Sequence, residues 1–322
     1  MNTKPTDAPR LLRGSRNEAN HLWVAAWETL VDKQPHLRHP EAAAAALRIP
    51  EAGLMAVRNG DDTTRLRGRL DEWLAPLPGW GRVAITVRNR LGSATMCCEV
   101  RSVKLTGDTL SLRGDQGQVL ISVHAANHGF LYEDRTSARQ GHSLHVYDPA
   151  GEALMRLHFL GDAGVHEALP HLMAHANVES GHSWRAGSIG VDAVKGFPGW
   201  CSIVSTLNRM DSARRAMVAA AASCTAVAQM RLLVEGKAVA LSYTGPVLGS
   251  LQPSPPDPEP QIDCLFSARA TTANHAFVCL SPEQVPYLRF HDTEGGSVTL
   301  WPQLNAAAAR AWVDVAINPT KG

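Results

Sequence analysis

Fourteen of the 322 residues are histidines, and nine of these lie between His124 and His182. Imidazole serves as a general base and as a ligand of transition metals and haem iron. His171 and His175 stand four apart, so on a helix they share a face and could hold a metal. The alternative is a solvated helix face at the edge of a lobe, and that is the expectation here. His142 and His145 fall on opposite sides of a strand and cannot chelate one ion. His124 and His128 share a face only if one strand runs through both. Asp148 and Asp292 each precede x-x-Gly, which marks the first residue of a β-turn whose carboxylate takes a backbone N–H. Turn formation is therefore expected of them, not paired-carboxylate chemistry. GxSxG, Walker A, HExxH and GxGxxG motifs are all missing from the sequence.

The two aspartates belong to a longer repeat. Leu144-His145-Val146-Tyr147-Asp148-Pro149-Ala150-Gly151 returns 144 residues later as Leu288-Arg289-Phe290-His291-Asp292-Thr293-Glu294-Gly295. A period this long indicates a duplicated domain, not a solenoid. The repeated motif reads as a strand entering a tight turn. Helical spacing marks Asn17–Leu30, Glu41–Leu47, the segment opened by Pro50-Glu51, and Thr64–Leu74. From Trp80 the texture changes to short β-type runs: Val83–Val87, Thr95–Val100, Thr109–Arg113, Val119–Val123 and Leu144–Tyr147. His166–Ala176 closes the first lobe as a helix. In the second lobe, Ser205–Ala222 is expected to be helical. Met230–Val234, Ala238–Tyr243, Asp263–Ala268, Phe277–Leu280 and Leu288–Phe290 repeat the sheet, and Ala306–Val315 repeats the closing helix. Consecutive strands without intervening helices predict antiparallel sheets. The fold class is therefore α+β with internal duplication: a first lobe at 1–176, a connector at 177–199 and a homologous second lobe at 200–322. A crevice between two lobes is a common ligand site.

Bulk properties narrow the function. Net charge is +1, from 31 basic and 30 acidic residues, so no single-sign field draws nucleic acid or an anionic membrane. The polar start, Met1-Asn2-Thr3-Lys4-Pro5, has no apolar h-region, and no apolar run is long enough to span a bilayer. Cysteines 97, 98, 201, 224, 264 and 279 show no CxxC spacing and read as reduced thiols in the cytoplasm. Ala42–Gly60 has a helix-turn-helix rhythm. Its second helix carries only Glu51 as a charge, with Arg58 at its end, so it is expected to pack and not to read DNA. Pro253–Pro260 reads as a stiff exposed loop.

An ordered set of segments resembles the bacterial cytoplasmic haem-trafficking and hemin-degrading factor family. These are Leu47–Leu54 with Arg58-Asn59-Gly60, Val87-Arg88-Asn89, Gly129-Phe130, Ser143–Gly151, Tyr243-Thr244-Gly245-Pro246-Val247 and Leu288–Gly295. The resemblance runs from about residue 40 to near the end. It implies duplicated α+β lobes with large antiparallel sheets and haem, or a related tetrapyrrole, in the cleft between them. A haem importer or a haem oxygenase would be the implied partner. The family's axial histidine falls in a stretch matching Asp192-Ala193-Val194-Lys195-Gly196-Phe197-Pro198, where Val194 and Lys195 stand in its place. The family's arginine on the opposite haem face falls, by count from Gly129-Phe130, on Leu120.

Valine has no donor atom, and lysine must lose a proton before it can bind iron. His182, in Gly181-His182-Ser183-Trp184, is the candidate replacement ligand, with Lys195 as the other candidate. Arg209 and Arg214 are the candidate partners of the haem propionates through charge-assisted hydrogen bonds. Three readings follow: a haem carrier, an oxidative haem-degrading enzyme, or a divergent non-haem binding or regulatory member of the same fold. The missing histidine weighs against degradation, because ring opening needs iron held with a free distal face.

Overall fold

The computed structural model describes residues 16–34, 37, 39–60, 62–134, 141–177, 202–207, 209–251 and 262–318. Three helices, α1 (Arg16–Lys33), α2 (Pro40–Leu47) and α3 (Glu51–Val57), form a cap. The first half then runs β1 (Thr63–Leu66), α4 (Leu70–Leu74), β2 (Arg82–Asn89), β3 (Gly92–Glu99), β4 (Ser102–Thr106), β5 (Thr109–Arg113), β6 (Gly117–Ser122), β7 (His128–Asp134), β8 (Gly141–Tyr147), β9 (Ala153–Phe159) and α5 (Asp162–Ala174). The second half runs β10 (Ser202–Leu207), α6 (Met210–Ser223), β11 (Met230–Glu235), β12 (Val239–Gly245), β13 (Leu248–Ser250), β14 (Cys264–Ala268), β15 (His275–Leu280), β16 (Pro286–His291), β17 (Ser297–Pro302) and α7 (Ala306–Ile317).

Two large sheets result. The first has the order β1-β7-β8-β9-β2-β3-β14-β13, the second β10-β15-β16-β17-β11-β12-β6-β5-β4. Among the described residues all strand pairings are antiparallel except β13 with β14. The first six strands of each list occupy equivalent places in the two halves. Each sheet is then extended by strands from the other half: β14 and β13 join the first sheet, and β6, β5 and β4 join the second. Strands from both sides of the expected boundary near residue 176 therefore share each sheet.

The repeated motif has one physical basis in both halves. β8 and β16 each run into a turn whose aspartate caps backbone N–H groups. Asp148 Oδ1 accepts from Glu152 N at 2.9 Å, and Asp292 Oδ1 accepts from Glu294 N and Gly296 N at 2.8 Å each. Gly151 and Gly295 close these turns at φ 87° and 88°, a region open to glycine at little cost.

Strand parity divides each sheet into an apolar and a polar face. In the first sheet Val83, Ile85, Val87, Met96, Leu144, Val146, Met155, Leu157 and Phe266 join one core. The same core takes Leu232, Val234, Leu241, Leu288, Phe290, Val298 and Leu300 from the second sheet, together with buried alanines of α6 and α7. Asn89 joins the halves at the end of β2. Its Nδ2 donates to Glu235 O and Ser297 O, both at 2.9 Å, while its Oδ1 accepts from Leu91 N at 2.8 Å.

Two expected helices need correction. Thr64–Leu74 is a strand followed by a short helix. Arg65 pairs with Phe130 across the edge of the first sheet, and Gly68 at φ 94° separates the two elements. Ser205–Ala222 begins as β10, which pairs with β15, and becomes helical only at Met210. In both places the apolar spacing suited a helix, but an open sheet edge took the first residues. Residues 178–199 of the connector and Pro253–Pro260 lie outside the described residues.

Gly129 is set by close approach. A Cβ at Gly129 would lie 2.4 Å from the ring of Trp73, which is itself fully packed in the core. Gly129→Ala is expected to lower stability by about 2 kcal/mol, the usual range for overpacking. Urea denaturation measures it, and an unchanged midpoint would mean that Trp73 moves freely.

Candidate functional site

The chemistry-bearing residues gather on the polar face of the first sheet, under the helical cap. Ser143, His145 and Tyr147 alternate along β8 and so share that face. Arg156 and His158 of β9 and Thr86 and Arg88 of β2 continue it through the register His145↔Arg156↔Thr86. α3 brings in Glu51, 5% exposed, and α2 brings in Glu41. The Glu51 carboxylate accepts from Arg88 Nη2 at 2.5 Å, from Arg156 Nη2 at 2.8 Å and from the Tyr147 hydroxyl at 2.9 Å. Glu41 pairs with Arg88 at 2.8 Å, with Arg156 at 3.2 Å, and with Arg269 from the second half of the chain.

These contacts fix the protons along β8. Tyr147 donates its proton to Glu51, so its oxygen accepts from His145 Nδ1, 3.1 Å away. His145 Nε2 is then the acceptor for the Ser143 hydroxyl at 2.9 Å. Burial drives His145 down to about 4. Burial, with His145 and Arg156 nearby, drives His158 down to about 3, so both are neutral at pH 7. Burial would raise the Glu51 carboxyl, but Arg156 and Arg88 outweigh it and hold the group well below the carboxylate range.

Serine, histidine and glutamate in this order match the sequence of groups in a nucleophilic relay. Two features oppose that chemistry. Ser143 is buried at 3% exposure, and Tyr147 stands between His145 and Glu51, which are 3.9 Å apart. The arrangement is suited to docking the cap on the sheet through a satisfied polar network.

Of the residues singled out from sequence, His182, Val194 and Lys195 lie outside the described residues. Arg209 is exposed at the start of α6. Arg214 is half-buried, and its Nη2 donates to Met210 Sδ at 3.3 Å. Its Nε is buried without a hydrogen-bond partner among the described residues. Five positions on a helix turn the two arginines about 140° apart, so α6 does not bring them together. Leu120 sits on β6 between Ser111 and Ala240, on the polar face of the second sheet. That face also carries Glu235, joined to Arg289 at 3.0 Å and to the Ser297 hydroxyl at 2.6 Å. Beside it Tyr287 and Trp301 stack with centroids 5.2 Å apart, and the Arg231 guanidinium lies 5.5 Å from the Trp301 centroid.

The paired histidines resolve as follows. His171 and His175 have ring centroids 5.1 Å apart, and His171 Nε2 lies 3.0 Å from the Glu72 carbonyl. Among the described residues no group of three or more His, Cys, Asp or Glu side chains could hold a metal. His124 falls in the turn after β6 while His128 opens β7, so they share no strand. The described cysteines, 97, 98, 224, 264 and 279, are free. No described helix is long and apolar enough to cross a membrane.

Sequence reading missed the network because it weighed each histidine and aspartate alone. The signal was present as polar residues at alternate positions of three strands: Ser143, His145, Tyr147; Arg156, His158; Thr86, Arg88.

Comparison with known proteins places this geometry. No curated protein matches the chain. Residues 48–173 match the family model described as the haemin-degrading HemS.ChuX domain. The chain is similar in structure to holo-PhuS, a heme-binding protein from Pseudomonas aeruginosa. Identity is 17%, the match covers 92% of this chain and 98% of that one, and the TM-score is 0.69. It is also similar to the heme degrading enzyme ChuS of Escherichia coli O157:H7, with 15% identity, 91% and 98% coverage and a TM-score of 0.70. Residues 48–173 are thus a match to the HemS.ChuX domain family, within a chain that has the duplicated two-sheet fold of PhuS and ChuS along nearly its whole length.

Proposed function

We propose that this chain binds haem or a related tetrapyrrole and carries it in the cytoplasm, as part of a bacterial system for haem and iron utilisation. The observation that carries this reading is the family match over residues 48–173. The likeness to a heme-binding protein over 92% of the chain supports it. The residues present suit an anionic group in one respect that can be checked in the structure. Arg214 Nε is a buried donor without a hydrogen-bond partner among the described residues, and a propionate carboxylate would satisfy it. Arg209 is the second cation assigned to the propionates. His182 is assigned to the iron, with Lys195 as the alternative ligand. Leu120 adds no charge. Bound haem would supply the redox and oxygen chemistry of its iron. A haem importer or a haem oxygenase is the partner this role requires.

The test is a hemin titration of the full chain followed in the Soret region. A saturable one-to-one shift is expected, with affinity at least tenfold weaker in His182→Ala. A titration indistinguishable from hemin in buffer would overturn the reading and leave a non-haem role for the fold. Oxidative ring opening is the second reading, favoured by the likeness to a heme degrading enzyme. It requires biliverdin-like absorbance to develop with reductant and oxygen.

A further inference from the structure

The two sheets end in four edge strands: β1 and β13 in the first, β10 and β4 in the second. An edge strand presents backbone N–H and C=O groups on its outer side, and proteins close or blunt such rows. β13 is only three residues long. β4 carries Lys104 at its middle, a charge that repels a copy of itself. β1 is closed by the chain's own backbone. Asn177 N donates to Arg65 O at 2.7 Å, and Arg67 N donates to His175 O at 2.8 Å. These bonds set Ala176 antiparallel to Leu66.

β10 is the counterpart of β1 in the second half. Arg65 pairs with Phe130, and Phe130 with His145. Thr206 pairs with Phe277, and Phe277 with Arg289. His145 and Arg289 hold the same offset in the repeated motif, so Thr206 stands where Arg65 stands. The Arg65 carbonyl points outwards to Asn177, and strand parity turns the backbone groups of Thr206 the same way. Among the described residues no backbone hydrogen bond reaches the outer side of β10. Its six residues, Ser202-Ile203-Val204-Ser205-Thr206-Leu207, include neither a charge nor a proline. A bulge at Val204 is its single irregularity, and it leaves that side chain 56% exposed.

The first half shows what fits such an edge: a short antiparallel run of extended backbone. A two-fold axis brings a second β10 alongside the first in that direction. The strand then opposes no like charges to itself. With a net charge of +1, two copies repel each other little.

We propose that β10 is a self-association edge, on which a second copy of this chain docks its own β10 antiparallel and joins two nine-stranded sheets into one. This contact is independent of the haem reading and stands whether or not hemin binds.

Sedimentation velocity of the full chain over a range of concentrations tests it, with hydrogen exchange of the β10 amides beside it. A reversible monomer–dimer equilibrium is expected, with exchange at Thr206 slowing as the dimer forms. Thr206→Pro removes an outward N–H and keeps the ladder to β15. Val204→Lys sets like charges near the axis. Each is expected to weaken association at least tenfold. Should the proline variant fail to fold, the lysine variant decides. A monomer at every concentration would overturn the proposal. Slow exchange in that monomer would mean that the chain closes its own edge, and fast exchange that the edge is left for a strand of another protein. A dimer of unchanged affinity in both variants would also overturn it, by placing the contact on another face.

Discussion

Glu51→Ala is expected to destabilise the protein by about 3–5 kcal/mol, the usual cost of removing one partner from a buried ion pair. Glu51 receives Arg88, Arg156 and Tyr147 together. Its loss leaves three guanidinium groups, Arg88, Arg156 and Arg269, sharing Glu41 and removes the acceptor that sets the proton direction along Ser143, His145 and Tyr147. The loss is comparable to a large part of a domain's whole stability. Equilibrium urea unfolding measures it. A change below about 1 kcal/mol would show that the network is hydrated and behaves as a surface pair. Glu41→Ala should cost less, because Glu41 is more exposed than Glu51 (14% against 4%) and Arg269 is itself partly open to solvent.

Acid is expected to act through the same residues. His145 and His158 are held at about 4 and about 3 in the fold, against an ordinary histidine value near 6.5. The unfolded chain therefore binds protons that the folded chain refuses between pH 6.5 and 4. Their stabilisation is complete above pH 6.5 and declines as pH falls through this window. His128 and His291 are likewise held at about 4 by burial, so four such groups give a slope of about 5 kcal/mol per pH unit near pH 5. Glu41 and Glu51, lowered in the fold, add a further loss below about pH 4.5. Urea midpoints at pH 7.5, 6 and 5 follow this decline, and His158→Gln should lower the slope near pH 5 by about a quarter. A flat profile from pH 7.5 to 5 would mean that these histidines take up protons without unfolding.

How much of this was legible from the residues depends on how local the cause was. The duplication was readable because a tight turn imposes Asp and Gly at fixed offsets, and Asp148–Gly151 and Asp292–Gly295 meet that demand alike. The pair α2–α3 was readable from Pro50, which opens the second helix, and from the alanine run of the first. Thr64–Leu74 was misread because Leu66, Leu70 and Trp73 keep an apolar spacing that suits a helix, while pairing with β7 decides the first part. The partnership of β3 with β14 was not readable at all, since it joins Met96 to Cys264 with nothing local to announce it. For the site, the family resemblance pointed to a ligand class. His182 and Lys195 lie outside the described residues, Arg209 and Arg214 diverge around α6, and the buried network emerged only once strand register placed alternate polar residues side by side.

The exchange of strands between the halves has a consequence for synthesis. When the ribosome has released the first half, β3 has no neighbour on its outer side, because β14 lies some 170 residues further on. The β4–β6 strands are meanwhile complete but have no sheet to join until β12 appears. Two hydrogen-bonding edges thus stay open during translation, and open edges are where nascent chains aggregate or pair with a second copy. The two halves of this chain are therefore expected to unfold in one transition, because each sheet is completed by strands of the other half.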